Sequence, residues 1–505
     1  MTEPTLSAHE QPPVVTPDAP AWTWQTFTPA RALPVLGGAA ALGVLAHALV
    51  RGGGPLGVNF TLLVWAVLGT ALLLTRRAPR SRAAVTLLGV AAAFAACVAW
   101  RDMLALTVLN VLATLLAGAV GLRYLRAPGQ VWTMPPFAPL IAAALLWTHT
   151  LVQGAGLPAR TNWRALAHPG RARAWGPLLR GALLALPLLL VFGALLGNAD
   201  AAFGTLLGRL LRWNLGAFTR DALAWVVWVW ALTGVLYVAA LARTPTRPDP
   251  ATMPIARLGA TEVGIVLGSL AALFAAFMVV QGAYLFGGPA QVTALTGLTY
   301  AEYARRGFFE LLTVTLLGVP LLLALRGALG ADLRDHGWPR ALTLLVTGLL
   351  AALLASAWTR MGLYVQVYGL SELRVLAGTA MVWVAALLGL LGWSVARART
   401  ETFTARAVLA GFVVLLGLNG LNPGLRIARD LGTRATILPA ARAVQLTAQN
   451  LGADAAPYVL PNLMTLADGQ SDVAAALRES VRGSAVKDWR SWNAARAHAG
   501  RLGAP

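Results

Sequence analysis

The stretch Val58–Thr75, VNFTLLVWAVLGTALLLT, contains no charged side chain over its whole length. A helix of about 20 mostly apolar residues is long enough to cross the roughly 30 Å hydrocarbon core of a bilayer. Directly after it comes a short loop that carries Arg76, Arg77, Arg80 and Arg82. Short arginine-rich loops stay in the cytoplasm. The stretch therefore predicts a membrane-crossing helix that ends at the cytoplasmic surface.

The same pattern recurs along the chain, which has 505 residues, of which 57% are hydrophobic and 12% charged. The apolar runs lack the strict alternation of a lipid-facing β-barrel. We predict an all-α fold, a polytopic transmembrane helix bundle within residues 32–421. Its eleven predicted spans are 33–50, 57–75, 84–100, 103–122, 181–198, 222–242, 262–286, 308–325, 341–358, 375–394 and 407–421.

The formal net charge of +20 does not indicate a nucleic-acid-binding protein, because the arginines sit singly or in small groups between apolar runs. Lys487 is the only lysine, which excludes a P-loop. Cys97 is the only cysteine, which excludes an intrachain disulfide and a cysteine zinc cluster. H-E-x-x-H and G-x-S-x-G motifs are absent from the sequence. We predict no catalytic residue, no metal and no cofactor.

The arginines also predict the orientation. With the loop after Thr75 inside, loops 123–180, 243–258, 326–340 and 397–406 are inside as well, and they carry roughly twenty arginines against roughly nine outside. The polar, proline-rich residues 1–31 are expected to be a disordered cytoplasmic tail. Eleven spans then place the C-terminus outside.

One segment leaves the number of membrane spans undecided. Residues 134–157 are apolar enough to span, which would give twelve helices and reverse every later loop. Three prolines, Pro135, Pro136 and Pro139, disfavour a straight entry into a helix. We therefore expect the basic segment 131–180 to be interfacial or re-entrant. Its part Arg160–Arg180 is expected to lie against anionic lipid headgroups.

Residues 422–505 lack a membrane-length apolar run. Apolar residues recur three and four positions apart, as at Val473, Leu477 and Val481, which is typical of amphipathic helices. We predict a small helical extramembrane domain that packs on the outer face of the bundle.

Ionisable residues gather at the predicted start of the eighth span. Thr299 and Glu302 have the spacing of a capping box, so a helix is expected to begin near Tyr300. Glu310 lies inside the apolar run, where an unpaired carboxylate is costly. We expect Glu310 to point into the bundle, within hydrogen-bond reach of an arginine or tyrosine: Arg306, four residues earlier, is the local candidate, and Arg360, Tyr364 and Tyr368 are the long-range ones.

A second polar group follows the ninth span. Arg360, Tyr364, Tyr368 and Glu372 are four apart and would share a face if the helix were continuous. Gly369 and Ser371 indicate a break instead, with Ser371 capping the next span. All these residues fall on the outer side and predict a polar pocket formed by Asp200, Glu302, Arg305, Arg306, Glu310, Arg360, Tyr364, Tyr368 and Glu372.

Two interpretations of this pocket remain open. The residues either cap helices and bridge the spans to the C-terminal domain, or they bind an ion, a small solute or a lipid headgroup. The leading functional hypothesis is a non-enzymatic transporter-like or sensory/regulatory module with an outward-facing polar pocket, and a membrane scaffold for a partner complex is an alternative. A membrane enzyme acting on a lipid-linked or envelope substrate is a third possibility.

Five stretches together carry a resemblance to a known family: LLGNADAAFG, GLTYAEYARRGFFELL, ASAWTRMGLYVQVYGLSELRVLAGTAMVWVA, GLNPGLRIARDL and DWRSWNAARA. In this order, from about Arg101 to Ala497, they resemble a bacterial multipass membrane family catalogued as domain of unknown function 4173, and its relative 4153. The resemblance implies an integral protein of the bacterial cytoplasmic membrane with a C-terminal extramembrane part. It implies no substrate, activity or partner.

Overall fold

The structure, a computed structural model, describes most of the chain. The described residues are 26–134, 138–166, 215–242, 258–286, 308–329, 337–434, 451–482 and 488–502, with isolated positions 185, 189, 192, 196, 200 and 446. Within these ranges the chain forms helices and short 3₁₀ turns, and two isolated β-bridges are the only extended pairings. The predicted all-α fold is confirmed.

Among the described residues, eleven helices belong to the bundle; ten of them are long and apolar enough to cross a membrane, whereas the eleventh, α2, is shorter. The protein is therefore a multi-pass membrane protein. The helices are α1 (Pro29–Val50), α2 (Val58–Leu74), α3 (Arg82–Trp100), α4 (Leu104–Tyr124), α5 (Ala138–Arg160), α6 (Leu215–Ala240), α7 (Ala260–Phe286), α8 (Phe308–Ala328), α9 (Gly337–Tyr368), α10 (Glu372–Ala396) and α11 (Phe403–Leu421).

Ten of the eleven predicted spans coincide with these helices. The remaining span, 181–198, lies outside the described residues apart from four isolated helical positions. The break between α9 and α10 is also confirmed. Gly369 has a φ of +77°, which favours glycine and ends α9. The Ser371 hydroxyl accepts a hydrogen bond from the Arg374 N–H at 3.4 Å and caps α10.

Hydrogen bonds between helix ends define one end of the bundle, here called the Phe27 end. The Ser81 N–H donates to the Leu125 carbonyl at 2.9 Å, which joins the start of α3 to the end of α4. Arg126 donates to the Ala242 carbonyl, which adds the end of α6. The Phe27 ring lies edge-on to Tyr237 of α6, with the centroids 6.0 Å apart.

The chain lies at the Phe27 end both where it leaves α4 and where it follows α5. The chain leaves α4 at Leu125, and after α5 its backbone pairs with Phe27: the Phe27 N–H donates to Arg160 at 3.0 Å and its carbonyl accepts from Asn162 at 2.9 Å. α5 is one continuous helix of 23 residues that is long and apolar enough to cross a membrane, so the interfacial or re-entrant arrangement stays a prediction.

In its described residues the C-terminal domain contains α12 (Pro423–Thr433), α13 (Ala456–Val459), α14 (Leu463–Leu466), α15 (Ser471–Arg482) and α16 (Ala494–Leu502). Asn422, with a φ of +48°, turns the chain directly from α11 into α12, and its side chain accepts from the Leu425 N–H at 3.1 Å. The domain's apolar core includes Ile427 and Leu477 and continues into Met103 of the bundle. The domain thus packs on the end opposite Phe27, here called the cap end.

Candidate functional site

A buried polar cluster joins the C-terminal domain to the bundle at the cap end. It starts with Asp454, whose side chain is only 1% exposed. Its carboxylate accepts hydrogen bonds from the backbone N–H groups of Asp102 at 2.7 Å and Met103 at 3.0 Å. These N–H groups lie at the start of α4, where Met103 offers no side-chain acceptor of its own. Asp454 therefore supplies the missing cap and the negative charge that a helix N-terminus favours.

The Asp102 carboxylate in turn accepts hydrogen bonds from the C-terminal domain. Its Oδ2 accepts from the Ala453 N–H at 3.1 Å, in the 3₁₀ turn Gly452–Ala455. Its Oδ1 accepts from Arg496 Nε at 2.6 Å and Nη2 at 2.5 Å. Each of the two aspartates thus satisfies backbone donors of the other's segment. We call Arg101, Asp102, Asp454, Asn493 and Arg496 the cap interlock.

Gly452 makes this exchange sterically possible. Its φ is +62°, a conformation that L side chains rarely adopt. A Cβ at this position would lie 2.7 Å from the Asp102 carbonyl oxygen, which is far closer than van der Waals contact. The two backbones can therefore approach this closely only with glycine at position 452.

The Asn493 side chain caps the end of α3. Its side-chain amide donates to the carbonyls of Val98 at 2.9 Å and Arg101 at 2.8 Å, at the end of α3. Its Oδ1 accepts from the Ala495 N–H at 2.9 Å at the start of α16. One fully buried side chain thereby caps a bundle helix and a domain helix at once.

Arg101 links the interlock to α11. Its Nη1 donates to Asp454 at 3.3 Å and its Nε to the Asn419 carbonyl at 2.9 Å. The Asn419 side chain in turn exchanges two hydrogen bonds of 2.8 Å with Asn110 of α4. Both amides are fully buried, so each needs the other as its partner.

The first two helices are held as well. The Val58 N–H at the start of α2 donates to the Trp492 carbonyl at 2.9 Å. Arg490 Nη1 donates to the carbonyls of Ala48 at 2.6 Å and Arg51 at 2.8 Å, at the end of α1. Residues of the C-terminal domain thus bond to the ends of α1, α2, α3 and α4.

Burial raises the pKa of the Asp454 carboxyl, because the charged form loses its hydration. The two backbone N–H bonds and the Arg101 guanidinium act in the opposite direction and favour the carboxylate. The cluster therefore holds a charge that is desolvated but fully hydrogen-bonded. Such an arrangement is stable while complete and costly when one member is missing.

A second attachment lies at the corner between α9 and α10. The Leu370 N–H donates to Asp430 Oδ2 of α12 at 2.6 Å. Arg434 forms a 2.9 Å ion pair with Asp430 and donates to the carbonyls of Val365 at 2.9 Å and Gln366 at 2.7 Å. The domain therefore contacts α9 and α10 as well as the first four helices of the bundle.

The predicted polar pocket is only partly assembled. Arg360, Tyr364 and Tyr368 share one helix, α9, as predicted. Arg360 is buried, and its Nη2 donates to Gln281 Oε1 of α7 at 2.8 Å. The two tyrosine rings contact each other edge-on, with centroids 5.1 Å apart.

Arg374 covers these tyrosines, although the sequence did not single it out. Its guanidinium lies 4.2 Å from the Tyr364 ring centroid and 5.8 Å from that of Tyr368. Its Nη1 donates to the Tyr368 carbonyl at 3.1 Å. Glu372 begins α10, beyond the break, and does not continue the face of α9.

The position of Glu310 differs from the predicted one. It lies in the first turn of α8 with an exposed side chain, so it does not point into the bundle as we expected. Its neighbours Phe308 and Leu311 are buried in the bundle core, so Glu310 lies on the opposite, exposed side of the helix start. Asp200 is likewise exposed. Thr299, Glu302, Arg305 and Arg306 lie outside the described residues, so the pairing of Glu310 with Arg306 stays a prediction.

Metal ligands do not gather in the part of the chain that the structure describes, where no three His, Cys, Asp or Glu side chains form a group that could hold an ion. Sequence reasoning missed Asp454, Asn493 and Arg496. Asp454 lies in a 3₁₀ turn without a recognisable motif, whereas Asn493 and Arg496 fall in the stretch DWRSWNAARA that carried the family resemblance; all three lie some 350 to 390 positions from their partners.

Comparison with known proteins gives one match. The family model described as Domain of unknown function (DUF4153) matches residues 88–461, which cover the bundle from α3 onward and the first part of the C-terminal domain. This confirms the resemblance through the relative 4153. No curated protein and no solved structure matches the chain.

Proposed function

The chain belongs to the family of Domain of unknown function (DUF4153), and we propose that it is a non-enzymatic membrane scaffold whose C-terminal domain is a fixed part of the bundle. The observation that carries the proposal is the cap interlock. Two aspartates cap each other's backbone segments, and each is paired with an arginine. Opening it would leave desolvated charges and orphaned helix N–H groups behind.

A transporter-like or sensory module is the alternative, and it needs an outer pocket that opens. Those predicted pocket residues that the structure describes do not favour it. Arg360 bonds Gln281, and Arg374 covers Tyr364 and Tyr368. These contacts are the helix-bridging interactions expected of the structural interpretation, in which polar residues hold the spans together.

A membrane enzyme is the third possibility. An enzyme acting on a lipid-linked substrate needs a reactive group beside an opening to the lipid. A groove between α9 and α10, from Leu344 to Trp358 on α9 and from Met381 to Gly392 on α10, is lined by apolar side chains and one threonine, without a carboxylate. The described residues therefore favour a scaffold over an enzyme.

We place the scaffold in the bacterial cytoplasmic membrane with the Phe27 end in the cytoplasm. The loop after α2, with its four arginines, lies at this end, as the positive-inside rule requires. The C-terminal domain would then lie outside and hold a partner complex at the outer surface. Eleven spans are consistent with the opposite positions of Phe27 and the C-terminal domain.

The test is to lock the domain onto the bundle. A Cβ at Gly54 would lie 3.3 Å from the Ser491 Cβ, close to the separation in a disulfide. Gly54→Cys with Ser491→Cys, in a Cys97→Ala background, is introduced into a deletion strain whose lipids and metabolites are profiled. We expect the locked protein to restore the profile as fully as the two single-cysteine variants, because a scaffold does not need to open.

The opposite result would support a gated module. If the single-cysteine variants restore the profile and the locked protein does not, the domain must move for function and the scaffold proposal is wrong. A native gel of the membranes serves as a second readout. Locked and unlocked proteins are expected in the same assembly, larger than the monomer.

A further inference from the structure

A lateral groove runs between α9 and α10 on the surface of the bundle and holds a volume of about 660 Å³. This is within the range of about 300–1,000 Å³ that is typical of ligand sites. Trp358 and Val382 on its rim are exposed. Small residues form much of its wall: Gly348, Ala351, Ala355, Ala385, Gly389 and Gly392.

The glycines keep the groove open. A Cβ at Gly348 or at Gly389 would meet no atom within 4 Å. The helices are therefore not drawn together over these positions, as close glycine-mediated helix packing would require. The space between them is available to a molecule from outside the chain.

The groove has the direction and length of a lipid acyl chain. Along α9 its lining extends from Leu344 to Trp358. Fourteen residues of helix rise about 21 Å at about 1.5 Å each. One leaflet of the hydrocarbon core is about 15 Å thick. An acyl chain that lies along the spans would thus be accompanied by the groove over most of its length.

Arginine side chains lie at the end of the groove that faces the Phe27 end. Arg340 precedes Leu344 by four residues and so lies on the same face of α9. Its Nη2 donates to the Ala396 carbonyl, at the end of α10, and so bridges the two helices. A guanidinium carries five N–H donors, so Arg340 can also donate to a phosphate. Arg397 and Arg399 follow α10 and are exposed.

We propose that this groove binds an anionic phospholipid, with one acyl chain between α9 and α10 and the phosphate on Arg340. The apolar lining matches the chain and the arginine matches the headgroup. The site lies apart from the cap interlock and does not depend on the proposed scaffold function.

A helix from a second copy of the chain is the competing occupant. Small residues would accept a helix as well as an acyl chain. Two copies related by a twofold axis along the membrane normal, however, would carry their Arg340 side chains at the same depth. Like charges would then face each other at this end of the groove, whereas an anionic lipid neutralises them.

Native mass spectrometry of the full-length protein in detergent tests this assignment, with added phosphatidylglycerol and phosphatidylcholine as probes. Gly389→Leu places a branched side chain in the groove from a position where a Cβ would meet nothing within 4 Å, and it is matched by Gly378→Leu on the same helix, where a Cβ also meets nothing within 4 Å. We expect one retained phosphatidylglycerol in the wild type and in Gly378→Leu. Retention should fall about tenfold in Gly389→Leu.

Arg340→Gln tests the headgroup and is matched by Arg478→Gln, which removes an exposed arginine of the C-terminal domain. We expect Arg340→Gln to bind both lipids equally, because it loses a charge-assisted bond worth about tenfold in affinity. Arg478→Gln should keep the preference for phosphatidylglycerol. Unchanged lipid retention in Gly389→Leu would overturn the proposal, as would a wild-type dimer that Gly389→Leu dissociates.

Discussion

Replacing Asp454 by alanine is expected to lower the free energy of unfolding by about 3–5 kcal/mol, because it breaks a buried ion pair by removing one partner. The substitution leaves Arg101 with no carboxylate at 3.3 Å, and the N–H groups of Asp102 and Met103 with no acceptor. Thermal unfolding of the detergent-solubilised protein, monitored by size-exclusion chromatography, measures this loss of stability.

Two companion variants make this result specific. Asp472→Ala removes an exposed carboxylate from α15 and is expected to change stability by no more than about 0.5 kcal/mol. Arg101→Met combined with Asp454→Ala should recover part of the loss, because the uncompensated buried charge is gone. A loss below about 1 kcal/mol in Asp454→Ala alone would show that the interlock is not an energetic feature of the fold.

The second large effect is expected at Gly452. Alanine there must adopt a left-handed conformation, which costs about 1–2 kcal/mol. Its Cβ also meets the Asp102 carbonyl oxygen at 2.7 Å, so the 3₁₀ turn must move away from α4. We expect a total loss of about 2–4 kcal/mol for Gly452→Ala, since strain and displaced hydrogen bonds add.

Gly469 supplies the matched control within the same domain. Its φ of +76° imposes the same left-handed conformation, but a Cβ there would meet nothing within 4 Å. Gly469→Ala should therefore lose only the conformational part, about 1–2 kcal/mol. The difference between the two unfolding midpoints measures the close approach of domain and bundle. Equal midpoints would mean that this approach contributes nothing.

The sequence predicted what depends on local pattern. Apolar runs predicted ten helices of the bundle, since burial in lipid requires a continuous apolar segment whatever its neighbours are. The break after Tyr368 followed from Gly369 and Ser371, whose conformational preference and capping act within three residues.

The interlock could not be predicted in this way. Asp102 lies at a span end and Asp454 in an amphipathic segment, and no spacing rule relates residues that far apart in the chain. Glu310 shows the converse error. The expectation that it faces inward rested on the cost of a carboxylate within an apolar run, and it did not allow for an exposed position near the end of the span.

The most direct test of the central claim, that domain and bundle form one fixed unit, is the disulfide between positions 54 and 491 in purified protein. Gly54 is exposed in the loop after α1, and Cys97→Ala removes the only native thiol. Ser491 is buried, so the protein is denatured in sodium dodecyl sulfate before the reagent is added. After mild oxidation of the folded protein we predict that the Gly54→Cys, Ser491→Cys variant takes up no maleimide-polyethylene glycol, and that it takes up two after reduction. Each single-cysteine variant should take up one under both conditions. If both thiols of the double variant stay reactive after oxidation, the domain does not rest on the bundle as described, and the account is contradicted.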